Sequence, residues 1–334
     1  TINIIKKINL TLVDFNELKI LYLITLRVGL YKISLEIRKK MLISAKQYQN
    51  KKKLKQKELT ILINSLFEEG DYNSIEKLIK KIKNLNLQVL FKSYYDIFIK
   101  KNNHIYDNFS ENLKVHYGKD FLNFIKNKRL VINAPVSDQK LSKITKKDIL
   151  VGMNFFNNRK RSYDLNYNIS YLSYEQAIYN IGKVNIEKKI NFIVTRNKHS
   201  LEILKKKYSN KSRYCLNFKP LLFTGNLNLM PNLILDLLFC PVYKKEIYVI
   251  NSDLFISSKR IDNYYPKSWG YDNKITENFL KLQVVHDPIT NFLFLSRCLK
   301  KNLINGDRRF RKILNNGLDD YIKLLESSYG IFIE

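Results

Sequence analysis

Glycine and proline are scarce in this chain, ten and six in 334 residues, and tryptophan occurs once. So few backbone breakers exclude collagenous and low-complexity architectures, and an apolar fraction of 45% supplies ample material for a packed core. Cysteine is scarcer still. Cys215, Cys240 and Cys298 are scattered, odd in number and without metal-ligand spacing. That excludes a disulfide framework and reads as buried thiols of a reducing compartment. Long hydrophobic runs are missing as well. The greasiest stretch, "ILYLITLRVGLY", follows Lys19 and is interrupted by Arg27, which makes it too short and too charged to span a bilayer. No signal peptide is visible, and the expected location is cytoplasmic.

Acids are under-represented. Against 59 Lys and Arg stand 30 Asp and Glu, a formal net charge of +29. Such a balance points to an anionic partner: nucleic acid, an anionic membrane surface or an acidic substrate. The chain is also rich in Asn, Ile and Tyr, the residues of A/T-rich codons, so genome composition offers a second origin for the charge. Both readings stay open here. Most catalytic signatures are absent too. There is no Walker phosphate loop, GxGxxG, zinc-protease helix or G-x-S-x-G elbow. No D-x-D pair is present to hold a nucleotide diphosphate through a metal. The expectation is metal-independent chemistry with no cofactor.

What is present divides near residue 128. Before it the periodicity is helical: Leu59, Leu62, Ile63, Leu66 and Phe67 share one face, "EEGDYNS" turns the chain with Ser74 as N-cap, and Ile75, Leu78, Ile79 and Ile82 repeat the face. The lysine run from Gln49 to Glu58 reads as a solvated helix end or linker, or as a phosphate contact. After residue 128, "RLVINAP", "DILVGMNFF", "INFIVTRN" and "EIYVINSDLF" read as short strands, with helical patterns "SLEILKKKYS" and "NLILDLLFCPVY" between. This predicts an α/β protein: an all-α N-terminal domain over 1–127, and over 128–334 a Rossmann-like domain with a mostly parallel sheet, a lid and C-terminal helices. Ligands of such sheets bind outside the carboxyl ends of the strands. Small polar residues stand there: Asn133 to Asp138, Asn154, Thr195 to Asn197, and Asn251 to Asp253. Each also suits an ordinary turn or helix cap.

From about Arg129 to Phe255 the order of these segments resembles the bacterial sialyltransferases that use CMP-sugars. The resemblance is carried by "RLVINAPVSDQKL", "DILVGMNFF", "LLFTGNLNLMPNLILDLLF" and "KKEIYVINSDLF", a little over a third of the chain. It implies a GT-A-related sheet and an inverting glycosyltransferase of surface polysaccharide or lipooligosaccharide synthesis. Its partners would be a nucleotide-sugar donor and a glycan or lipid-linked acceptor. The chain has "NAPVSD" where the family has a Gly-rich loop, Asn251 and Ser252 where it has glycine, and a "HDPITN" context of its own. The donor class therefore extends to CMP-Kdo or a phosphoribosyl donor. The family's catalytic histidine lies downstream, and His286 is the only histidine there.

Glycosyl transfer needs a base for the acceptor hydroxyl, and imidazole titrates near neutrality. "LQVVHDPITN" reads as a strand that breaks at His286, with Pro288 stopping it. Asp287 either orients the ring or starts the next helix. Thr224 and Gly225, at a helix start, and the amides after Asn133 are candidates to receive the anionic leaving group. Ser137, Asn154 and Asp253 are candidates for base or ribose. The aromatic stretch "RIDNYYPKSWGYDN", with Tyr264, Tyr265 and Trp269, suits a lid over the donor or a packed structural loop. His104, His116 and His199 read as surface or helix-start residues. The positive charge would dock the enzyme on the anionic inner face of a bacterial membrane. The competing function is a basic RNA-binding or ribosome-associated protein; no DNA partner is expected.

Overall fold

The computed structural model describes residues 13–100, 117–136, 144–154, 167–173, 190–208, 211–216, 218–241, 245–257 and 274–330. Before the sheet, these residues form helices only. Helix α1 (Phe15–Arg27) opens on a capping box: Asp14 accepts from the amides of Asn16 and Glu17, and Glu17 reaches back to the amide of Asp14 at 3.0 Å. Helix α2 (Tyr31–Lys46) follows, then α3 (Gln56–Glu69), closed by Gly70 in the left-handed region. The five apolar residues expected on one face of α3 are all buried. Helix α4 (Ile75–Ile79) starts after Ser74, whose hydroxyl caps nothing. Helices α5 (Leu85–Tyr95) and α6 (Lys119–Ile125) complete this layer. The lysines of the 49–58 run are solvated; Lys51 pairs with Glu58 at 2.8 Å.

Seven parallel strands form one sheet: β1 (Leu130–Asn133), β2 (Ile149–Met153), β3 (Ile169–Leu172), β4 (Phe192–Thr195), β5 (Ser212–Tyr214), β6 (Ile247–Ile250) and β7 (Ile304–Gly306). Their order is β5-β4-β3-β2-β1-β6-β7. The chain thus winds outward one way from β1 and then returns to its other side, which places a topological switch point between β1 and β6. Helices α7 (Lys198–Tyr208), α8 (Leu229–Leu238), α9 (Lys274–Val285), α10 (Pro288–Lys300), α11 (Arg308–Asn315) and α12 (Leu318–Tyr329) connect and flank the strands. This is a Rossmann-like α/β architecture.

Residues of alternate strand positions feed two cores. Val131, Leu150, Leu172, Ile193 and Ile250 pack with Leu204 and Tyr208 of α7. Ile132, Val151, Tyr171, Val194 and Val249 face the larger cluster, which runs continuously from Phe15 to Tyr329. The early helices join that cluster and have no separate core. Phe15 meets Phe223 edge-on at 5.7 Å, Phe98 meets Phe294 at 6.2 Å, and the Tyr31 hydroxyl donates to Gln283 at 2.5 Å. Element type changes near residue 128 as expected; the core runs across it.

One expected strand is a helix. Leu282–Val285 continues α9, with Gln283 buried and Val285 exposed, and the His286 amide closes onto the Leu282 carbonyl at 2.7 Å. A short apolar run does not separate strand from helix by periodicity. Pro288 therefore stops no strand. It occupies the first position of α10, where its missing N–H is no loss, and Asp287 is the N-cap.

Candidate functional site

The carboxyl ends of all seven strands lie along one edge of the sheet, and the switch point opens a cleft there. It is lined by Ala134, Pro135 and Val136 after β1, Met153 of β2, Leu229 and Met230 opening α8, and Ser252 to Phe255 after β6, and encloses about 340 Å³ including its mouth. Under it, Asn251 donates its amide to the side-chain oxygen of Asn133 at 2.7 Å, tying β6 to β1. Asn133 in turn donates to the Tyr167 hydroxyl at 2.6 Å. That ring lies flat against Gly152: a Cβ there would stand 2.6 Å from Tyr167 Cδ1. Glycine in β2 is thus what lets Tyr167 reach Asn133.

The rim after β6 holds an unusual backbone. Asn251, Leu254 and Phe255 all have positive φ, 57°, 50° and 66°. Asparagine tolerates this region; leucine and phenylalanine do so at a cost of about 1–3 kcal/mol each. The surroundings enforce it. Asp307 accepts the Asn251 amide at 2.6 Å while its other oxygen caps α11, and the Tyr321 hydroxyl donates to the Leu254 carbonyl at 2.7 Å. Asp253 thereby stands in the cleft wall on a loop bent around it, its Oδ1 taking the Phe255 amide at 3.0 Å. Asn154, also at positive φ, ends β2 and ties it to β3 by accepting the Ser173 amide at 2.8 Å. Asp253 therefore belongs to the cleft, Asn133 is buried beside it and spent on Asn251 and Tyr167, and Asn154 belongs to the neighbouring strand end.

His286 sits in the α9–α10 turn and is not among the residues that line this cleft. Its ring backs onto the Asn226–Leu227 segment, which leads in two residues to the cleft wall at Leu229. That segment is pinned: the Asn226 amide donates to the Val285 carbonyl at 2.7 Å, and the Asn228 amide to Asn291 of α10 at 2.8 Å. Arg196, just past β4, donates to the Leu227 carbonyl at 2.9 Å. Burial, with the Arg196 charge next, lowers the His286 pKa to about 4, although the carbonyls of Asn226 and Leu227 favour the protonated ring. The imidazole is neutral at pH 7. Its Nδ1 is buried and finds no hydrogen-bond partner among the described residues.

Behind His286 lies a buried polar knot. Asp287 is fully buried, and both its oxygens are engaged. One caps α10 through the amides of Ile289 and Thr290, at 2.9 and 3.2 Å. The other takes the hydroxyls of Tyr22 at 2.8 Å, Thr290 at 2.7 Å and Thr224, and the guanidinium of Arg38 at 2.7 Å. Arg38, only 1% exposed, also forks onto Glu68 with two bonds of 2.6 Å. Burial pushes the Asp287 carboxyl up, but Arg38 and the three hydroxyls outweigh it and hold the group below the ordinary carboxylate value. Gly225, at φ 62°, packs so closely on Asp287 that a Cβ would lie 2.7 Å from Asp287 Cβ. Thr224 and Gly225 were expected to receive the donor's leaving group; their contacts are with this knot, while Asp287, expected to orient the ring or to start the next helix, caps α10.

Ser137, Tyr264, Tyr265, Trp269, His104 and His116 lie outside the described residues. His199 is exposed at the start of α7. Cys215, Cys240 and Cys298 are buried free thiols, as expected. Among the described residues no three His, Cys, Asp or Glu gather as a metal site, and no helix is long and apolar enough to cross a membrane. Sequence reading missed Arg38, Glu68, Tyr22 and Tyr167. A glycine inside an apolar strand, as at Gly152, was the one available signal, since it marks close approach of another group. Comparison with protein-family models, curated proteins and solved structures finds no match.

Proposed function

We propose that this protein is an inverting, metal-independent glycosyltransferase that moves a sugar from a CMP-sugar-type donor to a glycan or lipid-linked acceptor. The observation that carries the reading is the cleft at the β1–β6 switch point, the place where ligands of open parallel sheets bind. Ser252 and Asp253 in the cleft wall supply polar groups of the kind that ribose and base edges require, and the Asn133–Asn251 pair fixes the two strand ends that carry the wall. Met153, Met230 and Phe255 supply an apolar wall. The strained rim agrees with a built site, since such backbone clusters where ligands are held.

His286 is the base of this scheme. The acceptor oxygen bonds the anomeric carbon as the bond from that carbon to the donor phosphate breaks. The nucleotide leaves with the electron pair, and the hydroxyl proton passes to the neutral His286 ring. Attack opposite the leaving group inverts the centre. The ring must be neutral beforehand, and it is. The net positive charge suits docking on an anionic membrane where lipid-linked acceptors reside.

Turnover tests the reading. With CMP-activated sialic acid and Kdo as donors, His286→Ala should keep donor affinity and fold but lose about 10²- to 10⁴-fold in rate, the usual worth of a general base. Normal turnover in the folded variant would move the base elsewhere.

A further inference from the structure

We infer that Arg38 is a positioning residue for His286, which makes the helical layer before β1 part of that site and not an appended module. The inference leans on the transferase reading only for what His286 does; the tie itself is geometric. His286 has two walls. One is its own turn, fixed at Asp287. The other is the 224–227 segment, fixed at Thr224. Arg38, from α2, donates Nη1 to both, at 2.7 Å each, and Nη2 to Thr290 at 2.8 Å. A single guanidinium thus clamps the two walls from a helix 186 and 249 residues away in sequence.

The clamp is specific to arginine. Nε and Nη2 are occupied by the Glu68 fork, which sets the plane, so that Nη1 faces Asp287 and Thr224. Tyr22 and Phe223 lie 5.4 and 5.6 Å from the guanidinium carbon and close its faces. A lysine ammonium carries the charge but not the fork. The walls sit too close together for a side chain between them: at Gly225 a Cβ would lie 2.7 Å from Asp287 Cβ. Any shift of Arg38 is therefore transmitted to the His286 ring.

The fold also holds a control. Arg213 of β5 is likewise buried and pairs with Asp236 of α8, with the Tyr171 hydroxyl donating to the same carboxylate at 2.6 Å. Among the described residues it donates to Tyr214, Tyr171 and Asp236, and to neither wall.

The experiment follows the imidazole resonances of His286 by NMR through a pH titration, in wild type, Arg38→Lys, Thr290→Val and Arg213→Lys, with melting temperature in parallel. Loosening the clamp admits water to the ring, so Arg38→Lys should move the His286 midpoint up toward the ordinary histidine value, and Thr290→Val less so. Turnover should fall by about 10²-fold in Arg38→Lys, the cost of a misplacement near 1 Å, with CMP affinity kept. Arg213→Lys should lower the melting temperature and leave His286 unchanged. An unmoved His286 midpoint in folded Arg38→Lys would overturn the inference, as would an equal movement in Arg213→Lys. Should Arg38→Lys not fold, Thr290→Val decides by the same criterion. Movement of the midpoint without any transfer activity would sink the transferase reading and leave the clamp standing.

Discussion

At the scale of the residue, His286 is unusual because it is neutral for reasons of placement. Its folded pKa, about 4, lies below the ordinary value of 6.5. The unfolded chain therefore binds a proton at this residue that the folded one does not. Stability from this group is complete above about pH 6.5 and is lost as pH falls through 4, at up to about 1.4 kcal/mol per pH unit. Asp287, held below the ordinary carboxylate value, loses its contribution at lower pH still, so the two effects separate. Urea unfolding between pH 7 and 4 should show a decline in wild type that His286→Gln abolishes. An unchanged decline in the variant would show that the ring is solvated. The sequence singled out His286 by its break in pattern and its resemblance. The reason for its neutrality was not legible, because the burial and Arg196 arrive from other elements.

At the scale of the element, four strands were readable as apolar runs and three were not. β3, β5 and β7 are short and carry Ser170, Arg213 and Asn305, which spoil the apolar signal. Arg213 is tolerated inside only because Asp236 and Tyr171 meet it there. The end of α9 was misread because Gln283 and Val285 invert the usual polar and apolar sides: glutamine is buried on Tyr31, valine is exposed. Thr224 and Gly225 were expected at a helix start, but α8 begins only at Leu229, and their partner, a carboxylate 63 residues on, is invisible to local pattern. Gly225 gives the element-scale prediction. Alanine there must adopt a left-handed backbone, worth roughly 1–2 kcal/mol alone, and its Cβ meets Asp287 at 2.7 Å. Gly225→Ala should lower stability by more than that backbone cost and disturb the His286 resonances. A neutral effect would mean that the 224–227 segment moves freely.

At the scale of the whole molecule, the division near residue 128 was legible as a change of periodicity, but the shared core was not. Nothing in a helical repeat says which surface it covers. Here Phe15, Phe67 and Phe98 join one cluster with the face of the sheet, and Asn64 donates to the carbonyls of Pro220 and Leu222 at 3.0 Å. A fragment over 128–334 would expose that cluster to water and take Tyr22 and Arg38 away from Asp287. It should not melt cooperatively; a sharp calorimetric transition in the fragment would contradict a shared core. The central claim, however, is that the β1–β6 cleft holds the nucleotide of an activated sugar. Calorimetric titration of CMP into the full chain tests this most directly. The account predicts saturable binding that Asp253→Ala weakens about tenfold or more, the loss of a charge-assisted hydrogen bond, and that His286→Ala leaves intact. No binding of CMP, or binding indifferent to Asp253→Ala, would contradict it.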